Sequence, residues 1–388
     1  MSKINYRQIN ISGYKRLLKP DKIELRPFTV MIGANGAGKT SFLEIFSLLA
    51  NSAKGNLKKS ITKMGGFQSL LTCNRSENMH FELSIDITEK CSLAYSIQLG
   101  TQGISYAIEN EVLSQKQDDQ NNPFSFIYSN GSDIRYLNNK KEKLLQPNWD
   151  YNYSETALSQ APKMYTTSEK FREQLSSCIY YSAHDLDVSY NAPIRLPQTM
   201  QPATYPGTNG EDLIAFLYYL RETDKHRFEV IEDTLRVAFP GFNHLHFPPV
   251  AAGTISMTWE DEHFSKHLYM NQLSEGTLRF IWLISLLHSP DLSKITLIDE
   301  PEVSLHPELL NILRDAMREA SNHTQLIVAT HSDRLISFLD PSEVLIFDFE
   351  DGMSQLTWAD SPTFDLEIWL KDYTLDELWR MGHIGGRS

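Results

Sequence analysis

The octapeptide Gly33-Ala34-Asn35-Gly36-Ala37-Gly38-Lys39-Thr40 follows the spacing G-x-x-x-x-G-K-[ST] without a mismatch. Residues 28–32 before it are a short apolar run with the β-formers Phe28, Thr29, Val30 and Ile32, which predicts a buried strand. Residues 41–50 after it place Phe42, Ile45, Phe46 and Leu49 on one face of a helix. Strand, glycine loop and helix are what polyphosphate recognition requires. Gly33, Gly36 and Gly38 let the backbone turn tightly and approach a phosphate with no Cβ in the way. The N–H groups of the loop, through Asn35 and Ala37 to Ser41 at the helix start, then face the phosphates. Lys39 is expected to reach the β- and γ-phosphates, and Thr40 to ligate Mg²⁺.

The 388 residues offer core for roughly two to three domains. Hydrophobic residues make up 41% and charged residues 22%, the balance of a folded chain in water. No apolar run reaches the roughly 18 residues of a membrane span, and the first residues lack the apolar stretch of a secretory signal. Cys73, Cys91 and Cys178 are scattered, which suggests a reducing compartment. Together these predict a cytoplasmic protein with no membrane partner. A net charge of −13 does not suit a general nucleic-acid binder. The charge is uneven, however: Lys15, Arg16, Lys54, Lys58, Lys59 and Lys63 lie in a basic first stretch, and the last fifty residues are acidic. The basic stretch suits a nucleotide, a nucleic acid, an acidic partner or solvent.

Along the chain, residues 4–11 and 21–25 predict two strands leading into the loop strand, with Gly13-Tyr14-Lys15-Arg16 as a turn. Residues 52–66 predict a polar loop with a short helix. Gln68 comes shortly after it, either a contact to Mg²⁺ or the attacking water, or a surface glutamine. Alternation across residues 78–138 predicts an antiparallel meander with a polar break at 114–123, and residues 138–161 read as irregular. A helix at 168–176 and a buried strand at 178–181 follow, then a Pro-rich loop at 186–210 that covers the sheet. Two helices at 212–221 and 227–237 precede short strands at 244–247, 254–259 and 266–269. His244 with His246, and His263 with His267, do not complete a metal ligand set and read as polar strand and loop residues.

A second constellation lies downstream. Ser274 caps a helix at 278–288, and Gly276 lets a phosphate approach that helix N-terminus. Residues 295–299 predict a β-branched strand that ends in Asp299-Glu300, an expensive place for paired carboxylates unless they act. Beside the glycine loop, Asp299 holds Mg²⁺ through its water shell and Glu300 serves as general base for water. Ser304-Leu305-His306-Pro307 opens a helix at 308–320. A strand at 325–329 then ends in Thr330-His331, where His331 can hydrogen-bond a γ-phosphate.

In this order the motifs resemble the ABC-type ATPase heads of the RecF, SMC and OLD-like group. The match is to Walker A at residues 33–40, the signature at Leu273-Ser274-Glu275-Gly276 and Walker B at 295–300. Ser304-Leu305-His306-Pro307 stands at the D-loop, His331 at the switch histidine and Gln68 at the Q-loop. The resemblance implies an α/β P-loop NTPase fold with a mixed sheet, an antiparallel β subdomain and a helical lobe. Its parts would be residues 1–77, 78–165, 166–270 and 271–388. It implies ATP hydrolysis in a homodimer, each ATP held by Walker A of one copy and by Ser274 and Gly276 of the other. Glu275 and Thr277 depart from transporter heads, and the middle segment lacks the heptads of an SMC coiled coil. The tail at 366–380 reads as acidic amphipathic helix without a nuclease constellation. The whole chain is similar to stand-alone ATPases that work beside a separately encoded effector, often in anti-phage defence. A RecF-like DNA-repair ATPase is the alternative.

Overall fold

A computed structural model of the chain describes residues 5–19, 22–88, 91–116, 124–138, 143–337, 339–364 and 373–384. The first strand, β1 (Asn5–Ser12), pairs antiparallel with the two-residue β2 (Ile23–Glu24). Asp21, expected to start that second strand, lies outside the described residues. β3 (Phe28–Gly33) is buried throughout and leads through the glycine loop into α1 (Lys39–Ala53). Lys39 and Thr40 thus belong to the first helical turn. Two short helices follow, α2 (Leu57–Lys63) and α3 (Phe67–Leu70).

The predicted meander is present and longer than expected. It comprises β4 (Asn78–Thr88), β5 (Cys91–Gln102), β6 (Ser105–Lys116), β7 (Phe124–Asn130), β8 (Asp133–Asn138) and β9 (Lys143–Leu145), each antiparallel to the one before. β1 pairs with β4, giving an eight-stranded sheet in the order β2-β1-β4-β5-β6-β7-β8-β9. β6 runs into the expected polar break as far as Lys116, and residues 117–123 lie outside the described residues. The stretch expected to be irregular holds β9 and α4 (Ala157–Gln160). Tertiary hydrogen bonds order it. The buried Glu111 carboxylate accepts the N–H groups of Ala157 (2.6 Å) and Leu158 (2.8 Å), and the Tyr136 hydroxyl donates to the Ala157 carbonyl (2.8 Å).

Next come α5 (Thr166–Ser176), β10 (Ile179–Ser182), β11 (Gln198–Thr199), α6 (Leu213–Thr223) and α7 (Lys225–Ala238). The short strands are β12 (Phe242–His246), β13 (Pro249–Ala251), β14 (Thr254–Ile255), β15 (Thr258–Asp261) and β16 (Leu268–Tyr269). They form two three-stranded sheets, β11-β14-β13 and β12-β15-β16. Residues 254–259, expected as one strand, are therefore divided between two sheets.

The C-terminal part contains α8 (Glu275–Leu287), β17 (Ile295–Asp299), α9 (Leu309–Ala320), β18 (Gln325–Ala329) and α10 (Asp333–Ile336). It closes with β19 (Val344–Glu350), β20 (Met353–Trp358) and α11 (Leu375–Arg380). Of the expected tail helix, residues 366–372 lie outside the described residues. In α8 every residue from 278 to 287 is buried.

These strands build the second large sheet, in the order β10-β17-β18-β3-β19-β20, parallel except for the β19–β20 hairpin. It is covered on both faces, which is why its strands read as apolar runs. Along β3, Val30 and Ile32 join the core shared with α8 and α9, whereas Met31 joins the core of α1 and the eight-stranded sheet. Leu297 and Ile298 divide the same way on β17. Gln325 links the two sheets: its side chain accepts from the Tyr6 N–H (2.9 Å) and donates to the carbonyls of Tyr6 (2.8 Å) and Arg26 (3.2 Å).

Candidate nucleotide-binding site

The parallel order puts β3, β18 and β17 side by side, with Met31 opposite Ala329 and Ala329 opposite Asp299. The three strands end at one edge, the carboxyl edge where open α/β sheets bind ligands. A cavity of about 230 Å³ opens there. Residues 36–41 line it, together with Lys15, Arg16 and His331. Gly38 has φ 102°, and a Cβ on it would lie 2.8 Å from Ser354 Oγ. That hydroxyl donates to the Ala37 carbonyl (2.7 Å), so β20 pins the loop from behind.

Lys39 is buried, and its ammonium donates to the carbonyls of Gly33 (2.7 Å) and Ala34 (3.2 Å). Burial lowers its pKa to about 8, opposed by the nearby carboxylates of Asp299, Glu300 and Glu302. The loop carbonyls give the cation neutral partners only. A phosphate oxygen offers it a charge-assisted bond about twice as strong.

The carboxylates are in turn held. Asp299 Oδ2 accepts from the Tyr180 hydroxyl (2.8 Å), and Thr40 also hydrogen-bonds this residue. Burial raises the Asp299 pKa against both of those bonds. Glu300 adopts φ 53°, a left-handed backbone, while its N–H donates to the Ala329 carbonyl (2.8 Å). Such a conformation in a non-glycine residue costs on the order of 1–3 kcal/mol and persists where neighbours fix it. The Glu300 side chain lies between two imidazoles, with Oε2 3.0 Å from His184 Nε2 and Oε1 3.7 Å from His331 Nε2. Burial, then the Lys39 cation, lowers the His331 pKa. Glu302 Oε1 accepts the His331 N–H (2.7 Å), and its buried Oε2 has no hydrogen-bond partner among the described residues. Burial raises the Glu302 pKa.

The signature residues form a separate cluster. Ser274 caps α8 by accepting the Thr277 N–H (3.1 Å). Glu275 Oε1 accepts from the Ser304 hydroxyl (2.8 Å) and from Arg279 Nε (2.9 Å). A Cβ on Gly276 would stand 2.5 Å from the Ser304 carbonyl, so the signature and the segment after Walker B interlock at a glycine. Neither Ser274 nor Gly276 lines this chain's own loop cavity.

Sequence patterns therefore brought together the glycine loop, Asp299, Glu300 and His331. Gln68 is exposed on α3 and does not line the cavity. Two nearby residues escaped sequence reasoning, Tyr180 and His184. Lys15 and Arg16, read as part of a turn and of a basic stretch that suits a nucleotide among other partners, follow β1. The Lys15 N–H donates to Leu70 (2.8 Å), and its ammonium pairs with Glu44. Tyr180 and His184 lie on and after β10. The signal that could have found them is the pairing of that strand with β17, which places Ser182 opposite Asp299.

The chain belongs to the family described as "AAA domain, putative AbiEii toxin, Type IV TA system", which matches residues 28–337. Its fold is similar to that of an SMC head crystallised with the C-winged helix domain of ScpA. The TM-score is 0.55 at 11% identity, covering 91% of this chain and 97% of that one. It is likewise similar to an SMC head with an extended coiled coil bound to the C-terminal domain of ScpA derived from Pyrococcus furiosus. There the TM-score is 0.53 at 9% identity, with 95% and 99% covered. No curated protein matches the chain. Family and fold agree on a nucleotide-binding AAA domain with a P-loop fold that SMC heads share. Among the described residues no helix is long and apolar enough to cross a membrane.

Proposed function

We propose that this chain is a cytoplasmic, ATP-hydrolysing ATPase, gated by nucleotide as a homodimer, that controls a separately encoded effector in anti-phage defence. The observation that carries the reading is the Glu300 carboxylate held between His184 and His331 at the strand edge that bears residues 36–41. In this reading Lys39 leaves the Gly33 and Ala34 carbonyls for the β- and γ-phosphates, and backbone N–H groups from Gly33, Asn35 and the rest of the loop orient them. Glu300 takes the proton from the attacking water as general base. His184 orients that carboxylate, and His331 donates to the γ-phosphate. Hard oxygen donors suit Mg²⁺, and Thr40 with Asp299 would hold it, without Gln68, which is exposed on α3 and does not line the cavity. When bound, Mg²⁺ supplies charge neutralisation on the phosphate oxygens.

Dimer gating is supported by the placement of Ser274 and Gly276. They sit outside their own cavity, at an exposed helix N-terminus suited to the phosphates of a second copy. The family description names a toxin of a type IV toxin–antitoxin system, which is consistent with work beside a separately encoded partner. A RecF-like role has one observation in its favour: Lys58, Lys59 and Lys63 of α2 line a single open groove. Capture of Glu300→Gln protein with Mg²⁺-ATP from its native cells separates the two. A stoichiometric protein partner supports effector control. DNA without a protein partner, and turnover that DNA stimulates with steep salt dependence, moves the reading to repair.

A further inference from the structure

Far along the chain from the glycine loop, the three-stranded sheet β12-β15-β16 brings three ligand-type side chains to one face. His246 on β12 pairs in register with Thr258, and Thr258 pairs with Tyr269. Trp259 pairs with Leu268, so one step further along the same ladder Glu260 faces position 267. Side chains alternate across a strand, so Glu260 shares the face of Thr258 and of His246 diagonally opposite. Leu245 and Trp259 turn the other way into the core and are nearly fully buried. The polar face therefore stands on a packed support.

The contacts on that face are close. His246 Nε2 lies 2.6 Å from Glu260 Oε2. The rings of His246 and His267 stack with centroids 4.5 Å apart and planes 11° from parallel. One ligand atom from each of the three residues lies within 4.8 Å of the other two. A tetrahedral ion with bonds of about 2.0–2.1 Å holds its ligand atoms roughly 3.3 Å apart, a distance side-chain rotation can reach from here. The neighbours are otherwise engaged. His244 Nδ1 faces Glu232 Oε2 (3.2 Å), and Asp261 accepts from the His263 N–H (3.0 Å).

We propose that His246, Glu260 and His267 bind a divalent transition-metal ion that favours imidazole, such as Zn²⁺, with a remaining position open to water. Two imidazoles and one carboxylate are the donor set of an open zinc site. No sequence spacing could show it, because the ligands come from β12, from β15 and from the residue just before β16, and the pairing aligns them. The site rests on these residues alone and stands whether or not the chain hydrolyses ATP. Its position gives it a consequence. His267 leads through β16 and the turn Met270–Gln272 to Ser274, so the ion would tie the approach to the signature to β12 and β15.

Untagged, nucleotide-free full-length chain titrated with Co²⁺ tests this. The expected result is one Co²⁺ per chain with the visible bands of low-coordinate cobalt, abolished by Zn²⁺. His267→Ala and Glu260→Gln, both at solvent-accessible positions, should each weaken binding by more than about tenfold, the loss that even an outer-shell change produces. Absence of those bands at stoichiometric Co²⁺ overturns the proposal, as does an unchanged spectrum and affinity in His267→Ala.

Discussion

His184 and Glu300 meet across the ends of two neighbouring parallel strands, with Nε2 of the first 3.0 Å from Oε2 of the second. His331 approaches the other carboxylate oxygen at 3.7 Å. Both oxygens of one side chain are thus addressed from either flank, at a residue whose backbone is already left-handed. A carboxylate so fixed would have little freedom to miss a water in the proposed general-base role.

Glu300→Gln should retain ATP binding while hydrolysis falls about 10²- to 10⁴-fold, the range of a lost general base. Equilibrium binding and single-turnover hydrolysis on the same protein check this. His184→Ala should give a smaller loss and an altered pH–rate profile. A His184→Ala enzyme with wild-type rate and profile would show that His184 does not orient Glu300.

Lys39 carries a pH prediction. Its pKa is lowered to about 8 by burial. Below that pH the ammonium is charged and can meet phosphate. As pH rises past about 8 in the free protein, binding must first recharge the side chain, and nucleotide affinity should decline. Lys39→Met should remove most binding at neutral pH and flatten the decline. Fluorescent-nucleotide titrations from about pH 7 to about pH 9.5, either side of that pKa, supply the comparison.

Gly276→Val should leave the fold intact yet disturb the signature, because the added Cβ meets the Ser304 carbonyl 2.5 Å away. The expected outcome is a folded monomer, less stable by about 1–3 kcal/mol because the added Cβ presses on backbone, that no longer dimerises with ATP when combined with Glu300→Gln. Ser274→Arg should do the same by bulk and charge. Light scattering with and without Mg²⁺-ATP reads both. A dimer that forms normally in either variant would argue against the sandwich.

Glu111 should make stability depend on pH in an unusual direction. It is buried and its pKa is raised from 4.5 to about 7, chiefly by desolvation, although Tyr95, Ala157 and Leu158 donate to it. A raised folded-state value means its contribution is fully present below about pH 4.5 and lost as pH rises through about 7. The linked change is on the order of 3 kcal/mol. Glu111→Gln should flatten this dependence in urea melts. Glu111→Ala, which strands three donors, should destabilise at every pH by roughly 3 kcal/mol or more.

The positions of the glycine loop, of Asp299 with Glu300 and of His331 were legible because each is a local string at a strand end. So was the alternation of β4 to β8. Residues 138–161 were not, since the order there comes from Glu111, some forty-six positions away from Ala157. Tyr180 and His184 were hidden for the same reason: which strand lies beside β17 is a fact of topology. His246, Glu260 and His267 are informative only after three strands have been laid in register.

Helix α8 has a mechanical consequence. Its thirteen residues span about 20 Å. Its exposed tip carries Ser274 and Glu275, and ten consecutive residues behind that tip are gripped on all sides. A rod held this way resists bending, so a force on its tip would pass along it to His288, whose carbonyl accepts from Arg227 of α7 (3.4 Å). An event at one face of the molecule would be felt at the opposite end of the helical lobe, where another protein could read it without touching the nucleotide.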